Sequence, residues 1–398
     1  MTLLRTAQVM AASLRVDDPL FDMPADLDWS QLVHHADGHS LTPLLYATWR
    51  QAGLLAQLPA EVRRRMARAY EDNARRNLYI REELLEIHQM LAGVAVDHLV
   101  LKGWPLVEQL YPDPAQRVVY DHDFLVRADQ AELAYRTLRN VGFSPLPAKD
   151  EWVEKHLRPL WRNDNYQWNG YLYDPFYPRP VELHLCLWEQ GWRGLRVANL
   201  VDPWRNVQTC RIGQSEVQLL SAENTMIHLA MHFTGHLVER DARLNQLLDL
   251  ARWLQHNGAG VEWSTVMQRA EQANIVRFLY AALYLARNIY GAPLPPAAVW
   301  QQLESGTPQA FKAWLADRGC VDVLTSDYRR PDKGKDYHLT FMAAHSAGER
   351  LGIVRFAMLP PPEQLMARYG FRRRWLGPVY NLRYLFDRIR EYAPGRRS

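Results

Sequence analysis

The sequence predicts an α+β protein, a mixed sheet near the middle of the chain flanked by N-terminal and C-terminal helical regions. Three observations carry this. Residues 28–91 follow a helical period, residues 94–190 switch to short apolar runs broken by turn residues, and helical period returns from Ser221. The expected organisation is a helical region over 1–93, an α+β core over 94–190, a helical domain over 191–300 and a mainly helical extension over 301–398.

Each element has a local reason. Asp28 precedes WSQLVHHA as an N-cap, and LTPLLYATWRQAG spaces apolar residues three and four apart before a glycine stop. Pro59 opens a helix that runs to Gly93, about 50 Å long at 1.5 Å per residue. VDHLVLKG reads as a buried strand ending at a glycine turn, WPLVEQLY as a brief helix, and VVYDHDFLV as a second strand after the turn-rich YPDPAQR. ADQAELAYRTLRNVGF is amphipathic and closes at Gly142. YQWNGYLYD and PVELHLCLW read as two more strands, giving the order strand–helix–strand–helix–strand–strand. Ser221 caps SAENTMIHLAMHF, and helical period continues through LNQLLDLARWLQH and VRFLYAALYLARNIYG. Prolines in RRPDKG and LPPPEQ interrupt the final third.

Charge and cysteine usage exclude several classes. The net charge of +3 does not by itself predict nucleic-acid binding. Arg63, Arg64 and Arg65 form one cluster and Arg372, Arg373 and Arg374 another; both read as solvated helix faces, with phosphate or RNA contact as the competing reading. Cys186, Cys210 and Cys320 lie far apart without a CxxC pair, against a zinc ribbon or disulfide framework and in keeping with a reducing cytosol. No run of about 18 apolar residues occurs, so no membrane partner is expected and a cytoplasmic location is. Walker, GxGxxG and GxSxG patterns are absent from the sequence.

The chemistry concentrates in Asp121-His122-Asp123-Phe124-Leu125-Val126. On a strand, residues two apart share a face, so Asp121 and Asp123 project together and repel unless a divalent cation or another positive group sits between them. Mg²⁺ (or Mn²⁺) suits, because it takes oxygen ligands and links carboxylates to substrate phosphates. Upstream, Gly103 lets backbone approach a phosphate and Lys102 adds charge, against the plainer reading of a strand-to-helix turn with an exposed lysine. Arg117 either clamps a phosphate or pairs with a nearby acid. A two-metal scheme needs a third acid, for which Glu182 is favoured over Asp174, since Pro175 makes the latter a turn residue. His184, two positions on, contacts phosphate, orients Glu182, or is structural.

Taken together, LKG, YPDPAQR, YDHDFLV and VELH resemble the bacterial family of uncharacterised nucleotidyltransferases, in the superfamily of polymerase β and kanamycin nucleotidyltransferase. DWSQLVHHADGHSLTPLLYATWRQAG, LSAENTMIHLAMHF, LLDLARWL and PPPEQLMARYG extend the likeness over most of the chain. The resemblance implies a nucleotidyltransferase-type core, a nucleoside triphosphate substrate, and metal ligation by Asp121, Asp123 and Glu182. Gly103 would then sit at the phosphate turn, and the acceptor would be a small molecule, peptide or RNA. Two departures stand out. Trp104 follows Gly103 where the superfamily has a serine or glycine, and His122 replaces the usual aliphatic residue between the aspartates. These keep open a catalytically degraded binding or accessory protein, beside a toxin-like enzyme that nucleotidylates RNA or protein.

Other candidates carry less. His228, His232 and His236 share a helix face but lack the HExxH glutamate, so they read as lining a groove more than as a zinc site. Asp249 is expected to pair with an arginine such as Arg243 or Arg252. Aromatic residues from Trp152 to Tyr177 either stack on a base or pack the core.

Overall fold

The computed structural model describes residues 2–19, 23–146, 155–162, 165–324, 337–371 and 373–392. Trp152, Arg372 and the RRPDKG segment lie outside the described residues. The N-terminal helices are α1 (Thr2–Ser13), α2 (Trp29–Gly38), α3 (Thr42–Gln51) and α4 (Ala60–Gly93). Asp28 caps α2 as expected, its carboxylate accepting the Gln31 N–H at 3.0 Å. The inner face of α4 is unusual in burying polar side chains. Asn73 donates to the Ala115 carbonyl (2.7 Å), Asn77 to Arg117 (2.8 Å) and Arg76 to Val119 (3.2 Å). These bonds satisfy the carbonyls of the segment entering the central strand, which is why that strand begins only at His122 and not at Val118.

The sheet comprises β1 (His98–Val100), β2 (His122–Val126), β3 (Ser144–Pro145), β4 (Leu160–Trp161) and β5 (Val181–His184), in the order β1-β2-β5-β4-β3. β2 and β5 run parallel and the other pairs antiparallel, so the sheet is mixed. Helices α5 (Trp104–Leu110) and α6 (Ala131–Asn140) connect its first strands. YQWNGYLYD, expected as a strand, is turn and coil. Asn169 and Asp174 take the N–H groups of Tyr171 and Phe176 (both 2.9 Å), and Gly170 has φ +83°, so the backbone turns where a ladder would need it extended. A hairpin not read from the sequence, β6 (Gln208–Ile212) and β7 (Ser215–Leu219), turns at Gly213.

The helical remainder comprises α7 (Ala222–Val238), α8 (Leu244–Asn257), α9 (Trp263–Gln272), α10 (Val276–Tyr290), α11 (Ala297–Ser305), α12 (Gln309–Ala316), α13 (Cys320–Leu324), α14 (His338–Ala343), α15 (Ala347–Met358), α16 (Pro362–Tyr369) and α17 (Gly377–Tyr392). Ser221 caps α7 and left-handed Gly291 closes α10. One apolar core joins α1–α3 to the faces of α7, α8 and α10, and a second joins Ile80, Leu84 and Ile87 of α4 to Phe124 and Leu183 of the sheet. The extension is fastened by the buried Arg277–Glu349 pair (3.0 Å) and by glycine packing: a Cβ on Gly194 would stand 2.4 Å from the Gly352 carbonyl oxygen. No described helix is long and apolar enough to cross a membrane.

Candidate active site

The parallel pairing of β2 and β5 sets the floor of the site. Its register makes Asp123 and Glu182 direct partners across the ladder, so two acids 59 positions apart in sequence stand side by side. Lys102, leaving β1, lies against both aspartates. Its Nζ is 3.2 and 3.3 Å from the Asp121 carboxylate oxygens and in closer contact with Asp123 Oδ2. The positive group between the two aspartates is therefore a buried lysine. Burial would depress its pKa, but Asp121, Asp123 and Glu182 raise it above the ordinary lysine value, so it stays charged. Burial and Asp123 push Asp121 up. Asp123 is pushed up by burial too, but Lys102 and His184 hold it well below the carboxylate range.

His184 closes the cluster. Its Nε2 is 3.0 Å from Asp123 Oδ1 and 3.3 Å from Glu182 Oε2, and one ligand atom from each of these three residues lies within 4.8 Å of the others. Burial opposes a charge on His184, but the two acids raise its pKa. For Glu182, burial is outweighed by His184, which with His156 brings it down to about 2. His156 Nε2 stands 3.7 Å from Glu182 Oε2. Sequence reading missed it, because only the isolated bridge pairing His156 with His184 brings it to the site.

His122 points to the other side of the sheet. Its Nε2 meets Glu83 Oε2 at 3.0 Å, and Arg179 holds the same oxygen at 2.6 Å. The unexpected residue between the aspartates is thus absorbed by a buried hydrogen bond, and the strand around it keeps its pairing.

Above the floor opens a cleft of about 580 Å³, lined by Lys102, Gly103, Asp121 and Glu182 from the core, by His232 and His236 of α7, by Arg243 just ahead of α8 and by Gln246 within it. Asp37 of α2 and the aromatic residues Tyr120, Trp168 and Tyr177 complete its rim. Gly103 has φ +78° and ψ −119°, a conformation that strains any residue with a Cβ. Arg117 holds this turn through the Gly103 carbonyl (3.1 Å) and is otherwise spent on Asp249, with Nε–Oδ1 at 2.9 Å and Nη2–Oδ2 at 2.7 Å. Of its two sequence readings, the structure displays the pairing with an acid. Asp249 thus pairs with an arginine, though with neither of the two given as examples: Arg252 reaches the Leu110 carbonyl and Arg243 covers Tyr120, because Arg117 fills the buried position. His232 and His236 line the cleft, whereas His228 is buried with neither ring nitrogen bonded. Asp174 accepts from Tyr166 and Asn169 within its own loop. Arg64 pairs with Glu61 and Arg65 with Asp37, as solvated helix residues do.

Acids on adjoining parallel strands and a glycine turn lie beneath an open cleft, the class of site in which small ligands bind. The sequence comparison narrows this class. Residues 25–291 match the model of a family described as uncharacterised nucleotidyltransferase, and the chain belongs to that family. Comparison with curated proteins and with solved structures gave no match.

Proposed function

We propose that the chain moves a nucleoside monophosphate from a nucleoside triphosphate to an acceptor hydroxyl or phosphate, releasing pyrophosphate. The observation that carries this reading is the convergence of Asp123 and Glu182 on one face of the parallel pair, with Asp121 and Lys102 beside them at the cleft floor. The donor set fits a divalent cation such as Mg²⁺ or Mn²⁺: two carboxylates and an imidazole converge, and Asp121 stands one lysine away. Such a cation, when bound, supplies charge for the triphosphate and lowers the pKa of the acceptor.

The chain's own residues do the positioning. Gly103 keeps the turn free of a side chain where phosphate approaches, and Arg117 locks that turn from behind. His184 orients Asp123 and Glu182 together. Residues of α7 and α8 close the opposite wall, leaving Trp168 and Tyr177 at the rim to receive the base or the acceptor. The hydrogen bond that seats His122 favours an intact site over a degraded one.

The test is a titration of the purified chain with each nucleoside triphosphate, with and without Mg²⁺ or Mn²⁺. Binding that needs the cation and disappears in Asp121→Asn/Asp123→Asn supports the proposal. A folded chain that binds no triphosphate under either cation removes it.

A further inference from the structure

We infer that the site takes a single divalent cation, on Asp123, Glu182 and His184, and that Lys102 permanently occupies the position from which a second cation would bridge Asp121 and Asp123. This rests on the nucleotidyl-transfer reading and specifies its metal requirement.

The geometry separates two halves of the acidic cluster. In the first, His184 Nε2 lies 3.0 and 3.3 Å from its two carboxylate neighbours. These contacts are hydrogen bonds through the Nε2 proton, and a cation would displace that proton to solvent; ligands at right angles on metal bonds of about 2.1–2.2 Å stand about 3.0 Å apart, so the three donors need little movement to form a coordination edge. The nitrogen donor makes Mn²⁺ the fitting probe, since Mg²⁺ favours an all-oxygen shell. In the second half, Lys102 Nζ contacts both Asp121 and Asp123, where a bridging ion would need the same oxygens.

Lys102 has little freedom to leave. Its side chain is only 13% exposed, and the preceding residue is tied to the Asp123 carbonyl by the Leu101 N–H at 3.0 Å. Charge also counts ions. Without triphosphate, three carboxylates are balanced by one ammonium and one divalent cation, whereas a second ion beside Lys102 would leave two uncompensated positive charges in a buried site. Lys102 therefore acts as a covalently attached counter-ion, holding the aspartates together without drawing on a second metal.

The experiment counts ions. Metal-stripped full-length chain is titrated with Mn²⁺ by calorimetry and by the paramagnetic resonance of free Mn²⁺, with and without a non-hydrolysable triphosphate analogue. One Mn²⁺ per chain, beyond any carried by the analogue's own phosphates, is expected in both states, one in Lys102→Arg, and two in Lys102→Met. Two ions in the unaltered chain, or one in Lys102→Met, overturn the inference. If Lys102→Met folds only with metal, it is refolded in Mn²⁺, desalted and its bound manganese counted by atomic absorption, with the same two outcomes. An unaltered chain that binds the analogue but no Mn²⁺ overturns the one-ion site alone. Failure to bind the analogue strikes the nucleotidyl-transfer reading, and the ion count still decides this one.

Discussion

Replacing Asp249 with alanine is expected to destabilise the chain by about 3–5 kcal/mol, the cost of leaving a buried cation without its partner. The side chains of Arg117 and Asp249 are 8% and 4% exposed and joined through two short N–O contacts, and Tyr111 donates a further bond to Asp249 at 2.7 Å. Burial works against the Arg117 charge, yet Asp249 raises its pKa, so the guanidinium cannot escape the penalty by losing its proton. In urea this loss moves the unfolding midpoint by roughly 1 M or more, at slopes of about 3 kcal/mol per M. The double variant Arg117→Met/Asp249→Leu should recover most of the stability, because a buried ion pair exchanged for apolar groups of similar volume is often neutral or better. It should not recover triphosphate binding, since the Gly103 carbonyl has lost its anchor. An Asp249→Ala cost under 1 kcal/mol, or full triphosphate affinity in the double variant, refutes the role given to this pair.

Three further outcomes follow from the same structure. His122→Val should cost about 1–2 kcal/mol through its lost bond to Glu83 and leave triphosphate affinity unchanged by calorimetry, because the ring faces away from the cleft. Burial, with help from His184 and Lys102, lowers the His228 pKa to about 3. Between pH 6.5 and about 3 the unfolded chain then binds this proton and the folded chain does not, so stability falls as pH falls; His228→Leu should reduce that slope by about 1.4 kcal/mol per pH unit in pH-resolved urea unfolding. Gly194→Ala should cost roughly 2 kcal/mol or more from overpacking and left-handed strain, and limited proteolysis should then cut near α15, where Gly352 packs against it.

Much of this fold could be read from residue order because its signals are local. Asp28, Ser221 and Gly291 mark helix ends through their own side chains or φ, and β2 and β5 announce themselves by apolar residues on both faces. The misreadings have equally physical sources. YQWNGYLYD is rich in strand-favouring aromatics, but Asn169 and Asp174 bend it by capturing backbone N–H groups. The β6–β7 hairpin did carry a signal, the alternation of Cys210, Ile212, Val217 and Leu219 about Gly213. Asp123 and Glu182 were identifiable as acids on apolar strands, and Asp121 as the acid just ahead of one. The clamp of Lys102 on the aspartates, the approach of His156 and the choice of Arg117 by Asp249 depend on contacts between distant segments, which no local spacing encodes.

The pairing of β2 with β5 has a consequence for when the acidic cluster assembles. A slip of one residue would turn Glu182 to the opposite face, away from Asp123, while leaving the apolar composition of both strands unchanged. Assembly of the acidic cluster is thus a readout of registry. A partly folded or misaligned chain holds every residue of the site and yet does not assemble it, so under the proposed function triphosphate binding would arise only once the sheet has closed in register.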